Sequence, residues 1–168
     1  MTTLQNCLNY LRSNGVRFAH TTHSPAYTAE EVAMAEHMPA NRMAKTVMLR
    51  DNEGFVMVVI PADSCVDLEQ LRMVIGVPDL YLAEERDLAL LFSNSELGAM
   101  PPLGGLFNLP VYLDRTVVKR EFIAFNAGTH RDVIHMRVAD FWDLVRPVLG
   151  DFCQATEPVS SATHTQFA

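Results

Sequence analysis

The fold is decided by Met43-Ala44-Lys45-Thr46-Val47-Met48-Leu49-Arg50, followed after a turn by Phe55-Val56-Met57-Val58-Val59-Ile60. The residues between these runs, Asp51-Asn52-Glu53-Gly54, are typical of a tight turn. The second run is apolar on both faces, which predicts a strand covered on both sides. Together the two runs predict a β-hairpin at the centre of a sheet.

Lys45 occupies a position in the first strand where a lysine is unusual. Side chains alternate across a strand, so Lys45 shares an apolar face with Met43, Val47 and Leu49. An ammonium group on such a face must reach water along its own stem, find a buried partner or serve a site. The strand pattern alone leaves these alternatives open.

The other predicted elements surround this hairpin. Apolar spacing and capping residues predict helices over 4–11, 29–38, 67–76, 84–92 and 140–146. Further strands are predicted over 16–20, 80–82, 110–113, 121–126 and 133–138. Because strands and helices are mixed without strict alternation, we predict an α+β fold with a mixed β-sheet surrounded by helices in a single domain.

The composition is typical of a globular protein that works in the cytoplasm. Of 168 residues, 49% are hydrophobic and 20% are charged, and we expect residues 1–153 to form one domain. Residues 154–168 are rich in Ser, Thr, Ala and Pro without periodicity, which predicts a disordered tail. No apolar run approaches the roughly 20 residues of a membrane span, and no signal peptide is recognisable. We therefore expect no membrane partner.

Cysteine usage and charge narrow the classes of function. Cys7, Cys65 and Cys153 are widely spaced, which favours reduced thiols over a disulfide framework or a zinc site. The net charge of −7 argues against a protein that wraps a long nucleic acid. It is compatible with a protein that contacts only one end of an RNA.

A second informative segment is Gly98-Ala99-Met100-Pro101-Pro102-Leu103-Gly104. Consecutive prolines fix the backbone, while glycines allow positive φ or the close approach of a ligand. Such a loop is a suitable wall for a small ligand, and free N–H groups beside Gly98 could stabilise a developing oxyanion. An ordinary tight connection is the alternative interpretation.

Histidines supply the remaining candidates for chemistry. His20 and His23 form an HxxH pattern at a strand end, without a third ligand nearby in the sequence. His130 follows a strand and a glycine turn, where it could contact a substrate or simply lie on a surface loop. No phosphate-binding glycine motif is present, which argues against nucleotide binding by such a motif. No serine lies in a G-x-S-x-G motif and no cysteine has a catalytic signature, so the sequence gives no support for covalent catalysis.

The order of three segments resembles the YbaK-like family. Lys45 lies in the first, Ile60-Pro61-Ala62-Asp63 is the second, and the loop from Gly98 to Pro102 is the third. Members of this family are stand-alone relatives of the editing domain inserted in bacterial prolyl-tRNA synthetases. Their hallmarks are an active-site lysine on a strand and a GxxxP loop, and the resemblance covers about residues 20–145.

The resemblance implies a mixed, partly barrel-like sheet and the trans-editing hydrolysis of a mischarged aminoacyl-tRNA of the tRNA-Pro type. It implies no metal and no cofactor, the acceptor end of the tRNA as partner, and a synthetase as a candidate partner. Carried onto this chain, the catalytic residues are Lys45 and Gly98. The residues expected to contact the substrate are Ala99, Met100, Pro101, Pro102 and His130, together with Thr22, His23 and Tyr27.

Two other functions remain open at this point. One is a binding module of the same fold that recognises an aminoacyl or acylated ligand without turnover. The other is a metal-assisted hydrolase built on His20, His23 and a carboxylate. For the deacylase, the sequence offers no convincing general base, which suggests that a terminal ribose hydroxyl of the substrate activates the attacking water.

Overall fold

The predicted hairpin is present and lies inside the largest sheet. The structure is a computed structural model that describes residues 1–156. The helices are α1 (Thr3–Ser13), α2 (Ala29–Ala35), α3 (Leu68–Ile75), α4 (Glu85–Leu91) and α5 (Val138–Val145). The strands are β1 (Phe18–Thr22), β2 (Ala44–Arg50), β3 (Phe55–Pro61), β4 (Ser64–Val66), β5 (Tyr81–Leu82), β6 (Val111–Asp114), β7 (Phe122–Asn126), β8 (Asp132–Arg137), β9 (Val148–Gly150) and β10 (Cys153–Ala155).

The strands form one large sheet and two smaller ones. The large sheet has the order β5-β2-β3-β6-β9, in which β2 pairs antiparallel with β3 and β5, while β6 pairs parallel with β3 and β9. The second sheet is antiparallel, with the order β1-β8-β7, and β10 pairs with β4. An isolated parallel bridge between Met43 and Ala124 brings the start of β2 to β7 and so links the two larger sheets.

Most of the core lies between the two larger sheets. Met57 and Val59 of β3 belong to the same buried cluster as Phe125 of β7 and Ile134 of β8, and α1 and α5 contribute to it. A second cluster packs under α2, and a third packs α3 against the other face of the large sheet. This mixture of helices with parallel and antiparallel strands confirms the predicted α+β class.

The predicted caps of two helices are confirmed. Thr28 Oγ1 accepts a hydrogen bond from the Glu31 N–H at 3.1 Å, and Asp67 Oδ1 accepts one from the Gln70 N–H at 3.1 Å. Gly76 ends α3 with a φ of +75°, a left-handed conformation that favours glycine. Short polar residues therefore set the start of both helices, as the sequence indicates.

The structure departs from the predictions mainly in short segments. The strands β4, β9 and β10 were not predicted, because three residues are too few to show a period. The disordered tail was predicted to begin at Gln154. This prediction is wrong for the first residues of the tail, because Gln154 lies in β10 opposite Cys65 of β4. The Thr156 N–H also donates to the Asp63 carbonyl at 2.9 Å, and the rest of the predicted tail lies outside the described residues. Among residues 1–156, no helix is long and apolar enough to cross a membrane.

Candidate active site

The edge of β2 that faces away from β3 is open at its centre. Towards the end of β2, the Met48 carbonyl accepts a hydrogen bond from the Ala83 N–H at 3.0 Å, and at its start Met43 bridges to Ala124. Alternation points the Thr46 N–H and C=O to the same side as the Met48 carbonyl. Within residues 1–156 no strand pairs with Thr46 on that side, so its main-chain groups take no part in the strand ladder there.

A small cavity of about 70 Å³ adjoins this open edge. Its walls come from β2, from α4 and from the loop that follows α4. The lining residues are Thr46, Met48, Leu88, Phe92, Ser95, Glu96, Leu97, Gly98 and Met100. The cavity therefore joins the predicted Gly98 loop to the strand that carries Lys45.

The Gly98 loop is held in place by the connection between β7 and β8. The Gly128 N–H donates to the Ala99 carbonyl at 2.8 Å, and the Glu96 N–H donates to the Gly128 carbonyl at 2.9 Å. Gly98 has a φ of +81°, so a residue with a Cβ would be strained there. The four residues that follow it, Ala99, Met100, Pro101 and Pro102, are all buried. They support the loop, and Met100 also lines the cavity.

His130 adjoins this loop, and Tyr27 packs against His130. The main-chain N–H of His130 donates to Glu96 Oε2 at 2.6 Å. The centroid of the His130 imidazole is 5.0 Å from the centroid of the Tyr27 ring. A Cβ placed on Gly98 would lie 3.9 Å from His130 Cε1, so the imidazole adjoins the loop. His130 Nδ1 is buried and has no hydrogen-bond partner in the described part of the chain. The roles of both residues remain predictions.

Thr22 belongs to a different polar cluster, centred on Asp132. The Asp132 carboxylate is 2.6 Å from His20 Nε2, and it accepts hydrogen bonds from Thr129 Oγ1 and from Thr22 Oγ1 at 3.4 Å. Burial raises the pKa of Asp132, but the hydrogen bonds from Thr129 and His20 outweigh it and hold the pKa below its ordinary value. This cluster is satisfied by its own members.

The HxxH histidines are engaged separately. His20 contacts Asp132, whereas His23 Nδ1 is 2.5 Å from the Ser24 carbonyl. In the described range 1–156, no group of three His, Cys, Asp or Glu side chains is arranged to hold a metal ion. The two imidazoles therefore have different protein partners and do not converge.

Lys45 is adjacent to the cavity but does not line it. Its cross-strand partner is Ile60, which packs on the α3 face of the large sheet, whereas Thr46 faces the cavity. Lys45 is partly buried, and its ammonium forms no ion pair with any residue from 1 to 156. A lysine stem is long enough to bring the ammonium group to the open edge of its own strand. The contact of Lys45 with a substrate therefore stays a prediction, and Lys45 lies next to a lining residue of the cavity without lining it.

Sequence reasoning missed three residues of this region. Thr46 follows Lys45 directly, Glu96 precedes Gly98 by two positions, and Asn126 is the last residue of β7. Asn126 is 8% exposed, and its Oδ1 is buried without a hydrogen-bond partner in the described residues. Thr46 and Glu96 meet at the cavity only because distant segments pair, and Asn126 does not line it, so no local signal identified these residues.

Comparisons with known proteins agree with this arrangement. Residues 23–144 match the family model described as the aminoacyl-tRNA editing domain, which confirms the resemblance inferred from the motifs. The proline–tRNA ligase of Thermosipho africanus is 26% identical over 135 residues, which cover 75% of this chain and 23% of the ligase. The chain therefore spans about a quarter of the length of that ligase.

A stand-alone protein matches over most of its length. The multifunctional Ser/Thr-tRNA deacylase ProXp-y of Escherichia coli K12 is 26% identical over 155 residues, which cover 89% of this chain and 92% of that protein. A solved structure of a protein proposed to be a trans-editing enzyme for prolyl-tRNA synthetase superposes with a TM-score of 0.78 at 20% identity, over 92% of this chain and 99% of that one. The latter likeness shows the fold alone.

Proposed function

The chain belongs to the aminoacyl-tRNA editing domain family, and we propose that it is a trans-editing deacylase that hydrolyses the ester of a mischarged aminoacyl-tRNA. The observation that carries this proposal is the open edge of β2, with Lys45 on one side and the Gly98 loop on the other. Thr46 brings unpaired main-chain groups and one wall of a small cavity to this edge, and the ammonium group of the neighbouring Lys45 would reach it along its own stem. Ester hydrolysis needs such an arrangement, because negative charge develops on the carbonyl oxygen.

The aminoacyl group would enter the cavity beside Thr46 and Gly98. A volume of about 70 Å³ suits a small side chain, and the Glu96 carboxylate at the wall would attract the α-ammonium group. The Ala99 N–H already donates to the Glu96 carbonyl at 3.0 Å, so the Gly98 N–H and the Lys45 ammonium would stabilise the oxyanion. Losing one such donor typically lowers the rate by about 10²–10³.

The attacking water would be activated by the substrate. Cys7 is unsuited to nucleophilic catalysis, because burial raises the pKa of its thiol to about 12. Burial likewise raises the pKa of Cys153, and no serine lies in a nucleophile motif. A hydroxyl of the terminal ribose lies next to the scissile ester in any aminoacyl-tRNA. We therefore assign the activation of water to that hydroxyl, without a metal ion.

The relatives suggest the class of substrate. Two of the matched proteins are a proline–tRNA ligase and a deacylase named for Ser-tRNA and Thr-tRNA. Taken with the small cavity, they support a substrate in which a small amino acid is attached to a tRNA of the proline type. The protein would hold the acceptor end of that tRNA in the cytoplasm, and a synthetase is a candidate partner.

The test is hydrolysis of a panel of aminoacyl-tRNAs, proline-type acceptors first, by the wild type, Lys45→Ala and Lys119→Ala. Lys119 is the other lysine of the chain and lies exposed, so it is the matched control. We expect the wild type and Lys119→Ala to hydrolyse selected mischarged species. The rate of hydrolysis should fall at least tenfold in Lys45→Ala, because an oxyanion donor is lost. Added EDTA should leave the rate unchanged.

Three results would contradict the proposal in different ways. No hydrolysis above background, combined with tight binding of an aminoacyl ligand, would indicate a binding module. Equal rates for wild type and Lys45→Ala would remove the lysine from the mechanism. A loss of activity in EDTA would show that a metal takes part.

A further inference from the structure

Asn126 is a buried polar residue whose hydrogen-bonding capacity is unused. Its side chain is 8% exposed, and Oδ1 is enclosed without a hydrogen-bond partner in the described residues. Buried polar atoms are almost always paired in folded proteins, so an unpaired one needs an explanation. A bound ligand that supplies the missing partner is such an explanation.

The position of Asn126 connects the two halves of the proposed site. Met43 and Ala124 are bridged in parallel, and strand alternation puts Lys45 on the same face as Met43 and Asn126 on the same face as Ala124. In the other direction, Asn126 is two residues before Gly128, whose N–H holds the Ala99 carbonyl. Along the chain, Asn126 therefore lies between the bridge to the start of β2 and the turn that holds the Gly98 loop.

The neighbours of Asn126 restrict what it could bind. The ammonium group of Lys45, on the segment bridged to β7, would repel a second cation, which disfavours the α-ammonium group of an aminoacyl ester. The Glu96 carboxylate on the cavity side is the better partner for that ammonium. A carboxamide has an oxygen that accepts hydrogen bonds and an NH2 group that donates them. A hydroxyl can donate to the oxygen and accept from the NH2 group. A neutral hydroxyl is thus the best match.

We propose that Asn126 is a positioning residue that binds a hydroxyl of the terminal ribose of the substrate, next to the ester that is hydrolysed. This inference rests on the proposed function. Once the Asn126 carboxamide rotates to expose Oδ1, a hydrogen bond donated to it by the 2′-hydroxyl would leave the lone pairs of that hydroxyl free to orient the attacking water. Asn126 acts through the ribose and does not exchange protons itself.

The test uses binding, so that it does not depend on turnover. The probe is 3′-(L-serylamino)-3′-deoxyadenosine, an amide that resists hydrolysis. A second ligand is the same compound without the 2′-hydroxyl. Calorimetric titration compares both ligands against the wild type, Asn126→Ala and Asn126→Asp. We expect the wild type to prefer the hydroxyl-bearing ligand about tenfold, Asn126→Ala to lose this preference, and Asn126→Asp, which keeps an acceptor, to retain most of it.

The outcomes separate this inference from the proposed function. If Asn126→Ala weakens both ligands equally, or if the wild type shows no preference for the hydroxyl, the inference is overturned. If the preference is present but no aminoacyl-tRNA is hydrolysed, the ribose contact stands and the deacylase proposal fails. Thermal melting of each variant provides the check that all three proteins are folded.

Discussion

Asp114 and Asn126 are both buried polar residues at the ends of strands, yet their surroundings differ. Asp114 is 2% exposed; its Oδ2 accepts from the Phe152 and Cys153 N–H groups at 2.8 and 3.0 Å, and its Oδ1 from Thr116. Asn126 is 8% exposed, and its Oδ1 has no partner in the described residues. The two residues have similar burial but opposite hydrogen-bond satisfaction.

This difference indicates that Asp114 stabilises the fold, whereas Asn126 is proposed to bind a ligand. Asp114 lies at the end of β6 and accepts hydrogen bonds from the segment that follows β9. These bonds fix the segment that continues into β10. Removing it would leave main-chain donors unpaired in the interior. Removing the Asn126 amide would delete an unpaired group, which costs little stability. The same degree of burial therefore predicts opposite effects on stability and activity.

The largest expected effect on stability comes from Asp114→Ala. We expect the free energy of unfolding to fall by about 3 kcal/mol, because the Phe152 and Cys153 N–H groups lose a charged acceptor. Urea denaturation measures this, with Asp51→Ala as the control. Asp51 also accepts hydrogen bonds from two main-chain N–H groups, at 2.7 Å each, but in an exposed turn, so we expect Asp51→Ala to lose only about 1 kcal/mol of unfolding free energy.

The unfolding free energy of Asn126→Ala should remain within about 1 kcal/mol of the wild-type value. Similar losses in Asp114→Ala and Asn126→Ala would abolish the distinction.

A smaller effect is expected in the dependence of stability on pH. Burial raises the pKa of Asp114, but hydrogen bonds from the Phe152 N–H and from Thr116 outweigh it and lower the pKa below its ordinary value. A carboxyl whose pKa is lower in the folded state stabilises the protein above the unfolded pKa of about 3.9 and loses this contribution as the pH falls through the folded pKa.

Asp114→Asn should therefore flatten the acid side of the stability curve. Urea denaturation at intervals from about pH 5 to pH 2.5 measures the slope, and we expect the wild type to lose stability more steeply than the variant. The wild-type slope also contains Asp132, whose pKa is lowered as well, so the slope of the variant should be reduced but not zero. Parallel curves would show that Asp114 contributes nothing to the acid side.

Local sequence patterns predicted most of the fold. The β2–β3 hairpin, the Thr28 and Asp67 caps and the Gly76 terminus follow from rules that act over a few residues. The short strands β4, β9 and β10 were missed because their existence depends on distant partners. For the same reason Gln154 and Ala155 of β10 were assigned to the tail.

The candidate site was predicted only in part. Gly98 and Met100 line the cavity, His130 adjoins the Gly98 loop and Tyr27 packs against His130, while their contacts with a substrate stay predictions. The catalytic role of Lys45 also stays a prediction, and strand alternation puts Thr46 rather than Lys45 in the wall of the cavity. The position of Asn126 depends on the bridge between β2 and β7, which no local pattern encodes.

The most direct test of the account is the rate of ester hydrolysis by Lys45→Met under single-turnover conditions, on an aminoacyl-tRNA that the wild type clears. Methionine keeps an unbranched apolar stem of similar length and removes only the charge, so it separates packing from chemistry. We predict a rate reduced at least tenfold with an unchanged melting temperature, because the ammonium group stabilises the oxyanion and pairs with no residue from 1 to 156. A rate equal to that of the wild type would show that Lys45 only covers apolar surface, and would contradict the central claim.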